Sequence, residues 1–257
     1  MADAAQAASA GSLPHIPNVL TFVTKALGDT PLSHWIHQWE NVLFSWGLII
    51  AFGVVAWMAT RQVRFIPQGL QNFFELLVEG LYGFVEGILG PKHARHFTPF
   101  VGTLFLYIWL MNLIALIPGG HSPTSNINTT LGLALCVFLY VQYSAIRMLG
   151  VKGFFLHMAG NPDSAITAVV GILIFGIHLI GELIKPISLG LRLFGNITGE
   201  DAIMASFVQM GIGGLPLQLF AKGLALIFST VQALVFALLT TIYIALVLPH
   251  DTEHAAH

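Results

Sequence analysis

The sequence predicts an all-α, polytopic membrane protein of about five to six helices, including an amphipathic helix and a long, steeply tilted pair near the C-terminus. Of its 257 residues, 56% are hydrophobic and only 9% are charged, whereas soluble domains carry about 25% charged residues. The apolar residues also come in long blocks, near the roughly 20 residues that one membrane crossing needs. One block is far longer than a bilayer is thick, which predicts the tilted helix.

The apolar blocks occupy residues 41–249, which we predict to form a single membrane-embedded helical domain. A polar segment of residues 1–40 precedes it, and a short polar tail of residues 250–257 follows it. The first segment has no basic stretch followed by an apolar core, so no cleavable signal peptide is predicted. The single cysteine, Cys136, excludes a disulfide framework and is predicted to pack within an apolar run.

The predicted elements follow one another with short connections. The first span covers Val42 to Ala59, and later spans cover residues 97–118, 131–146 and 217–248. Between the first two spans, residues 67–90 place one polar stripe on an otherwise apolar helix, which predicts an amphipathic helix that is interfacial or buried in protein. That stripe contains Gln68, Asn72, Glu75, Glu79, Tyr82 and Glu86.

The segment from Ala165 to about residue 210 shows no convincing stop signal. A helix of about 45 residues is roughly 68 Å long, whereas the hydrocarbon core is only about 30 Å thick. The helix must therefore tilt steeply, kink or run partly along the membrane, and Pro186 offers a position for a kink.

Lysine and arginine are distributed unequally between the two sides of the membrane. If the N-terminus is outside, six basic residues fall on the inner side: Arg61, Arg64, Lys92, Arg95, Arg147 and Lys152. The loops on the outer side contain none. Since basic loops remain on the cytoplasmic side, we predict the N-terminus outside and the C-terminus inside, with an odd number of crossings in the long segment.

Charged and amide side chains share one face of the long segment, because their spacings of three, four and seven residues follow the helical repeat. This face, the polar stripe of the long helix, contains His178, Glu182, Lys185, Arg192, Asn196 and Glu200, with Asp201 beside it. Glycines accompany the stripe, and small residues let another helix approach closely. A charge at the centre of a bilayer helix costs about 2.5 to 3.5 kcal/mol, so this face is predicted to meet protein or water.

Several members of the stripe have a structural interpretation beside a functional one. Glu182 and Lys185 either neutralise each other or act on an ion, and His178 is either a hydrogen-bonded packing residue or a proton carrier. Arg192 differs, because no acid lies three or four residues away and its guanidinium cannot shed its charge. Arg192 is therefore predicted to pair with a carboxylate from another part of this chain or from another chain.

Two acids late in the long segment and one amide in the last span also leave two interpretations open. Glu200 and Asp201 are adjacent and point in different directions, so they are either proton carriers in a partly desolvated place or a solvated helix end. Gln232 is a lone amide in the last span, where it forms an interhelical hydrogen bond unless it faces Arg192.

Motifs for soluble chemistry are missing from the sequence. It contains no P-loop, no dinucleotide-binding glycine motif and no HExxH or Cys/His metal cluster, so we predict no catalytic residue, no metal and no cofactor. Lysine and arginine are scattered rather than clustered, which predicts no nucleic-acid partner.

The run LIKPISLGLRLFGNITGED, residues 183–201, resembles the signature of the a subunit of F-type ATP synthases, the stationary ion-channel subunit beside the rotating c-ring. The runs FVGTLFLYIWLMNLIALIP, PTSNINTTLGLAL and TVQALVFALLTTIYIAL follow in family order, so the resemblance covers roughly residues 65–248. The Phe194–Gly195 pair is similar to bacterial and plastid members. The resemblance implies a bacterial inner or plasma membrane in preference to a plastid thylakoid.

The resemblance implies roles for particular residues. Arg192 matches the family's essential arginine, which faces the proton-binding carboxylate of each passing c subunit, and Asn196 and Gln232 match polar residues lining the same site. The family usually places a glutamate or histidine of the outer half-channel nine positions after the arginine. That position is Asp201 here, which departs from the family pattern, and Glu200 stands just before it. Either acid could serve.

Two further positions depart from the family pattern. Some members carry a histidine seven residues before the glutamine, where this chain has Ala225, which leaves Lys222 or no residue as the partner of the acid. Asn126 stands where some members have an aspartate.

The implied mechanism uses two offset aqueous half-channels for protons or Na⁺, with Arg192 between them, and couples ion flow to rotation and ATP synthesis without bond chemistry in this chain. The implied partners are the c-ring, the b subunits of the peripheral stalk, the lipid bilayer and, indirectly, the catalytic head. Two other classes fit less well. A secondary transporter should show inverted repeats and broken helices, and a membrane enzyme needs a nucleophile–base or metal constellation.

Overall fold

The structure is a computed structural model that describes residues 39–61, 69–116, 123–160 and 165–248. Five α-helices account for nearly all of these residues, without any strand: α1 (Glu40–Thr60), α2 (Leu70–Ala115), α3 (Ile127–Met158), α4 (Ala165–Gln209) and α5 (Leu215–Val247). The predicted all-α fold is confirmed. The N-terminal segment and the C-terminal tail, residues 1–38 and 249–257, lie outside the described residues, so the predicted domain limits stay a prediction.

Four of these helices, α2 to α5, are long and apolar enough to cross a membrane. The shorter α1 has 21 residues, which span roughly 32 Å at 1.5 Å per residue and match the hydrocarbon thickness. The prediction of a polytopic membrane protein is therefore confirmed.

Helix α2 joins two elements that the sequence predicts separately, the amphipathic helix and the second span. The break between them is a single residue, Gly90, with φ 73° and ψ 164°. This conformation is almost restricted to glycine, because a Cβ atom would be strained there. The basic run after Gly90, from Pro91 to His96, is helical and leads directly into the span.

Helix α3 continues past the predicted end of its span near residue 146 to Met158, with a similar break at Gly150, where φ is 71° and ψ is 163°. The prediction that Cys136 packs inside the protein is wrong, since Cys136 is exposed on the surface of the chain. An apolar run in a membrane protein can face lipid as well as a core, and the sequence alone does not separate the two.

Helix α4 runs as one helix of 45 residues through Pro186. Proline has no backbone N–H, so the carbonyl of Glu182, four residues earlier, lacks its usual helical donor. With the 33-residue α5, α4 forms the predicted pair of long helices.

The core forms where α2 packs on α5 and α3 packs on α4, with α4 against α5 closing the bundle. Helix α4 enters the core with Leu189, Leu193 and Ile197, all at most 1% exposed. At Gly190, a Cβ atom would lie 3.0 Å from the side chain of Leu131 and 3.3 Å from the carbonyl oxygen of Thr130. This close contact with α3 fixes the rotation of α4 and thereby the direction of its polar stripe.

Candidate functional site

The polar stripe of α4 lies along the edge between its buried and exposed faces. Leu189 and Leu193 point into the core, and Arg192, one residue before Leu193, points about 100° away around the helix. Arg192 is exposed and, within the described ranges, takes part in no salt bridge. The structure thus presents a permanent positive charge on the outer surface of the chain.

Small residues share the exposed face of α4 that carries Arg192. Gly181, Gly195 and Gly199 are exposed, and a Cβ atom added at any of them would meet nothing within 4 Å. Ser188 is exposed as well. Because side chains here are short, the backbone of α4 is open to close approach by another helix.

Glu182 and Lys185 form a salt bridge on α4, as one of the two interpretations of the sequence expects. Helix α3 adds Gln142, whose Nε2 donates a hydrogen bond to Glu182 Oε2 at 2.9 Å. Helix α5 adds Tyr243, whose ring centroid lies 5.2 Å from Lys185 Nζ. These four residues, the Glu182 cluster, join three helices, and their contacts favour the structural interpretation of the pair.

His178 lies within α4 and contacts the C-terminal end of α3. Its Nδ1 is 2.9 Å from the carbonyl oxygen of Met158, and since a carbonyl can only accept, Nδ1 donates in this contact. This hydrogen bond favours the packing interpretation of His178.

Asn196 and Gln232 have buried amide nitrogens. Asn196 Nδ2 and Gln232 Nε2 are without a hydrogen-bond partner among the described residues, and so are Ser229 Oγ on α5 and Asn112 Nδ2 on α2. Buried polar groups in proteins are nearly always paired with protein or water. The interior between α2, α4 and α5 is therefore polar where Gln232 enters it.

Glu200 and Asp201 are both half-buried near the end of α4. Since α4 is helical through this region, the two carboxylates differ in direction by about 100°. Glu200 continues the face of Arg192 and Asn196, whereas Asp201 follows Arg192 by two and a half turns and points to the opposite side of the helix.

Lys222 and Asn126 stabilise helix ends in this structure. Lys222 Nζ donates to the carbonyl oxygen of Leu116 at 3.2 Å, which attaches α5 to the C-terminal end of α2. Asn126 Oδ1 accepts from the backbone N–H of Asn128 at 3.0 Å, as an N-cap of α3. The structure thus shows a packing role for both residues.

Sequence reasoning missed Gln142 and Tyr243. Gln142 is an amide within an otherwise largely apolar span, which is a detectable signal in a membrane helix. Its partner Glu182 lies 40 residues away, so the contact depends on how α3 and α4 pack. No cluster of three or more potential metal ligands occurs in the part of the chain that the structure describes.

Comparison with known proteins gives one consistent result. Residues 42–245 match the family described as ATP synthase A chain. ATP synthase subunit a of Protochlamydia amoebophila is 37% identical over 94% of this chain and 92% of its own length. ATP synthase subunit a of Solidesulfovibrio magneticus is 37% identical over 94% of this chain and 99% of its own length. That of Aliarcobacter butzleri is 38% identical over 78% of this chain and 86% of its own length.

Proposed function

Because this chain belongs to the ATP synthase A chain family, and is thus a non-catalytic, multi-pass subunit of the synthase's membrane sector in a bacterial membrane, we propose that it couples ion flow to rotation of the c-ring. In this proposal, α4 lies beside the ring and Arg192 faces the ion-binding carboxylate of each passing c subunit. The free energy available is about 2.3 kcal/mol per charge for each 100 mV across the membrane.

The observation that carries the proposal is the position of Arg192. Its guanidinium is permanently charged, exposed on an apolar helix, and flanked by small residues that allow close approach. Such a charge is costly against lipid, so a carboxylate on a neighbouring subunit accounts for it better than a bare lipid face does. Arg192 would stabilise the deprotonated carboxylate and block direct leakage between the two half-channels.

The remaining polar residues divide into two routes on either side of Arg192. Asn196, Glu200, Asp201 and Gln232 would line the outer half-channel, and the unpartnered amide nitrogens of Asn196 and Gln232 support a polar path there. His178, Glu182 and Lys185 lie toward the other end of α4 and would form the wall of the inner half-channel. The transported ion is a proton or Na⁺.

The arrangement in the membrane is part of the proposal. With the N-terminus outside and the C-terminus inside, the breaks at Gly90 and Gly150 and the basic residues near them lie on the inner side. The b subunits of the peripheral stalk would hold the chain in place and link it indirectly to the catalytic head. The uninterrupted α4 also lacks the broken helix that a secondary transporter would need there.

Inverted membrane vesicles that contain the whole complex test the proposal. We expect Arg192→Ala to abolish ATP-driven acidification, with a loss of at least about twentyfold, while the complex still assembles. Arg147→Ala is the matched control, because Arg147 is an exposed arginine on α3, away from the stripe. Normal acidification by assembled Arg192→Ala complexes would overturn the proposal.

A further inference from the structure

We propose that Gln142 is a positioning residue, which holds Glu182 against Lys185 so that Lys185 is neutralised and Arg192 acts alone on the rotor carboxylate. The inference rests on the proposed function, because it assigns a role to residues beside Arg192. The Glu182 cluster then has an electrostatic role in addition to packing, which is to neutralise Lys185.

Both oxygens of the Glu182 carboxylate are engaged by different helices. Lys185, on the same helix, contacts Oε1, and Gln142, on α3, donates to Oε2 at 2.9 Å. A carboxylate held at both oxygens has a fixed orientation, because rotation of the side chain would break one of the two contacts. Gln142 therefore keeps Glu182 directed at Lys185.

The surroundings of the pair leave little room for solvent. The side chains of Lys185 and Glu182 are 24% and 19% exposed. The pocket that they line with Pro186, Leu189 and Tyr243 holds about 10 Å³, close to the minimum for one water molecule. With the ring of Tyr243 also against Lys185, the charge of Lys185 is balanced mainly by protein groups and depends on Glu182 for its neutralisation.

Lys185 matters because of its distance from Arg192. The two residues are seven positions apart on one stripe, which is roughly 10.5 Å along the helix. At this distance and an effective dielectric constant of about 20, a second unpaired cation would shift the protonation equilibrium of the rotor carboxylate by roughly tenfold. The shift would favour the deprotonated form, and the carboxylate would take up its proton less readily.

Three variants of the complex in inverted vesicles test the inference. Glu182→Gln removes the neutralising charge, Gln142→Leu removes only the donor on α3, and Glu182→Gln combined with Lys185→Met removes both charges. The readouts are the acidification rate per ATP hydrolysed and the amount of assembled complex. Lys152→Met is the control, because Lys152 is an exposed lysine on α3 outside the cluster.

We expect the acidification per ATP hydrolysed to fall about tenfold in Glu182→Gln and two- to threefold in Gln142→Leu, with normal amounts of complex. The double variant should exceed Glu182→Gln by at least about threefold, because it has no unpaired lysine. If Glu182→Gln does not assemble, Gln142→Leu decides the question, since it keeps both charged residues.

Three results would overturn the inference: acidification that falls only in proportion to the amount of complex, a double variant as impaired as Glu182→Gln, or an unchanged Gln142→Leu. The Arg192→Ala variant separates this failure from that of the proposed function. If Arg192→Ala abolishes pumping while the cluster variants couple normally, only the role of Gln142 is wrong. If Arg192→Ala pumps normally, the proposed function fails first.

Discussion

Arg192 owes its direction to its neighbours along the helix. Leu189 and Leu193 are buried on one side, and the contact of Gly190 with α3 prevents α4 from rotating to bury the guanidinium. A residue that cannot lose its charge is therefore presented outward by the packing of apolar residues beside it. The packing of the core residues determines where the guanidinium points, although the guanidinium is not itself part of the core.

The two acids near the end of α4 differ in their expected effects. Counted from Arg192, Glu200 lies about 80° around the helix, whereas Asp201 lies about 180° around it, on the opposite side. We therefore expect Glu200→Gln to lower ATP-driven acidification about fivefold or more, and Asp201→Asn to lower it less than twofold. The measurement is acidification of inverted vesicles at equal amounts of complex. The reverse order would assign the outer half-channel to Asp201, the position that the family resemblance favours.

For individual residues, the sequence predicts which side chains form the polar stripe more fully than it predicts their contact partners. The stripe from His178 to Glu200 follows from helical spacing alone, and the salt bridge of Glu182 with Lys185 follows from a spacing of three. The contacts of His178 with Met158 and of Lys222 with Leu116 cannot be predicted from spacing. They join residues of different helices, and no local pattern specifies such pairs.

Two glycine breaks shape the helices of this protein. Gly90 in α2 and Gly150 in α3 have nearly the same backbone angles, φ 73° and 71° with ψ 164° and 163°. Both lie close to basic residues of the predicted inner side. The sequence predicts the spans, because their apolar residues form long blocks, but it does not predict these breaks. The sequence does not distinguish a glycine that adopts a positive φ from one that keeps helical backbone angles.

The packing of α4 on α3 depends on the absence of a side chain at Gly190. We expect Gly190→Ala to destabilise the subunit by about 1–3 kcal/mol, because the added methyl group would press on Leu131 and on the backbone of Thr130. Thermal unfolding of the purified complex in detergent measures this effect. Gly176→Ala on the same helix is the control, since its Cβ atom would meet nothing within 4 Å. Equal stability of the two variants would contradict the close contact.

The whole molecule leaves much apolar surface uncovered, and it does so unevenly. Only 11% of the most apolar stretch of α4 is buried, against 50% for α2. Helix α2 therefore lies within the bundle, whereas α4 forms one outer side of it. A helix with so little internal contact has its surface available to lipid and to other subunits.

The orientation of the whole chain can be measured with cysteine labelling. Cys136 is exposed, so it is first replaced by serine. In that background we expect Lys152→Cys to react with an impermeant maleimide from the inner side only, and Gln209→Cys from the outer side only, because the basic loops define the inner side. Labelling from the opposite sides would reverse the predicted topology.

The outward direction of Arg192 also has a consequence for the order in which the complex is built. A newly inserted copy that has not yet met the rotor holds a guanidinium against lipid, at a cost of about 2.5 to 3.5 kcal/mol. That cost is removed only when a carboxylate arrives, so the chain gains stability at the moment it docks. A cell that adds this subunit to a ring already in place avoids accumulating unpartnered copies.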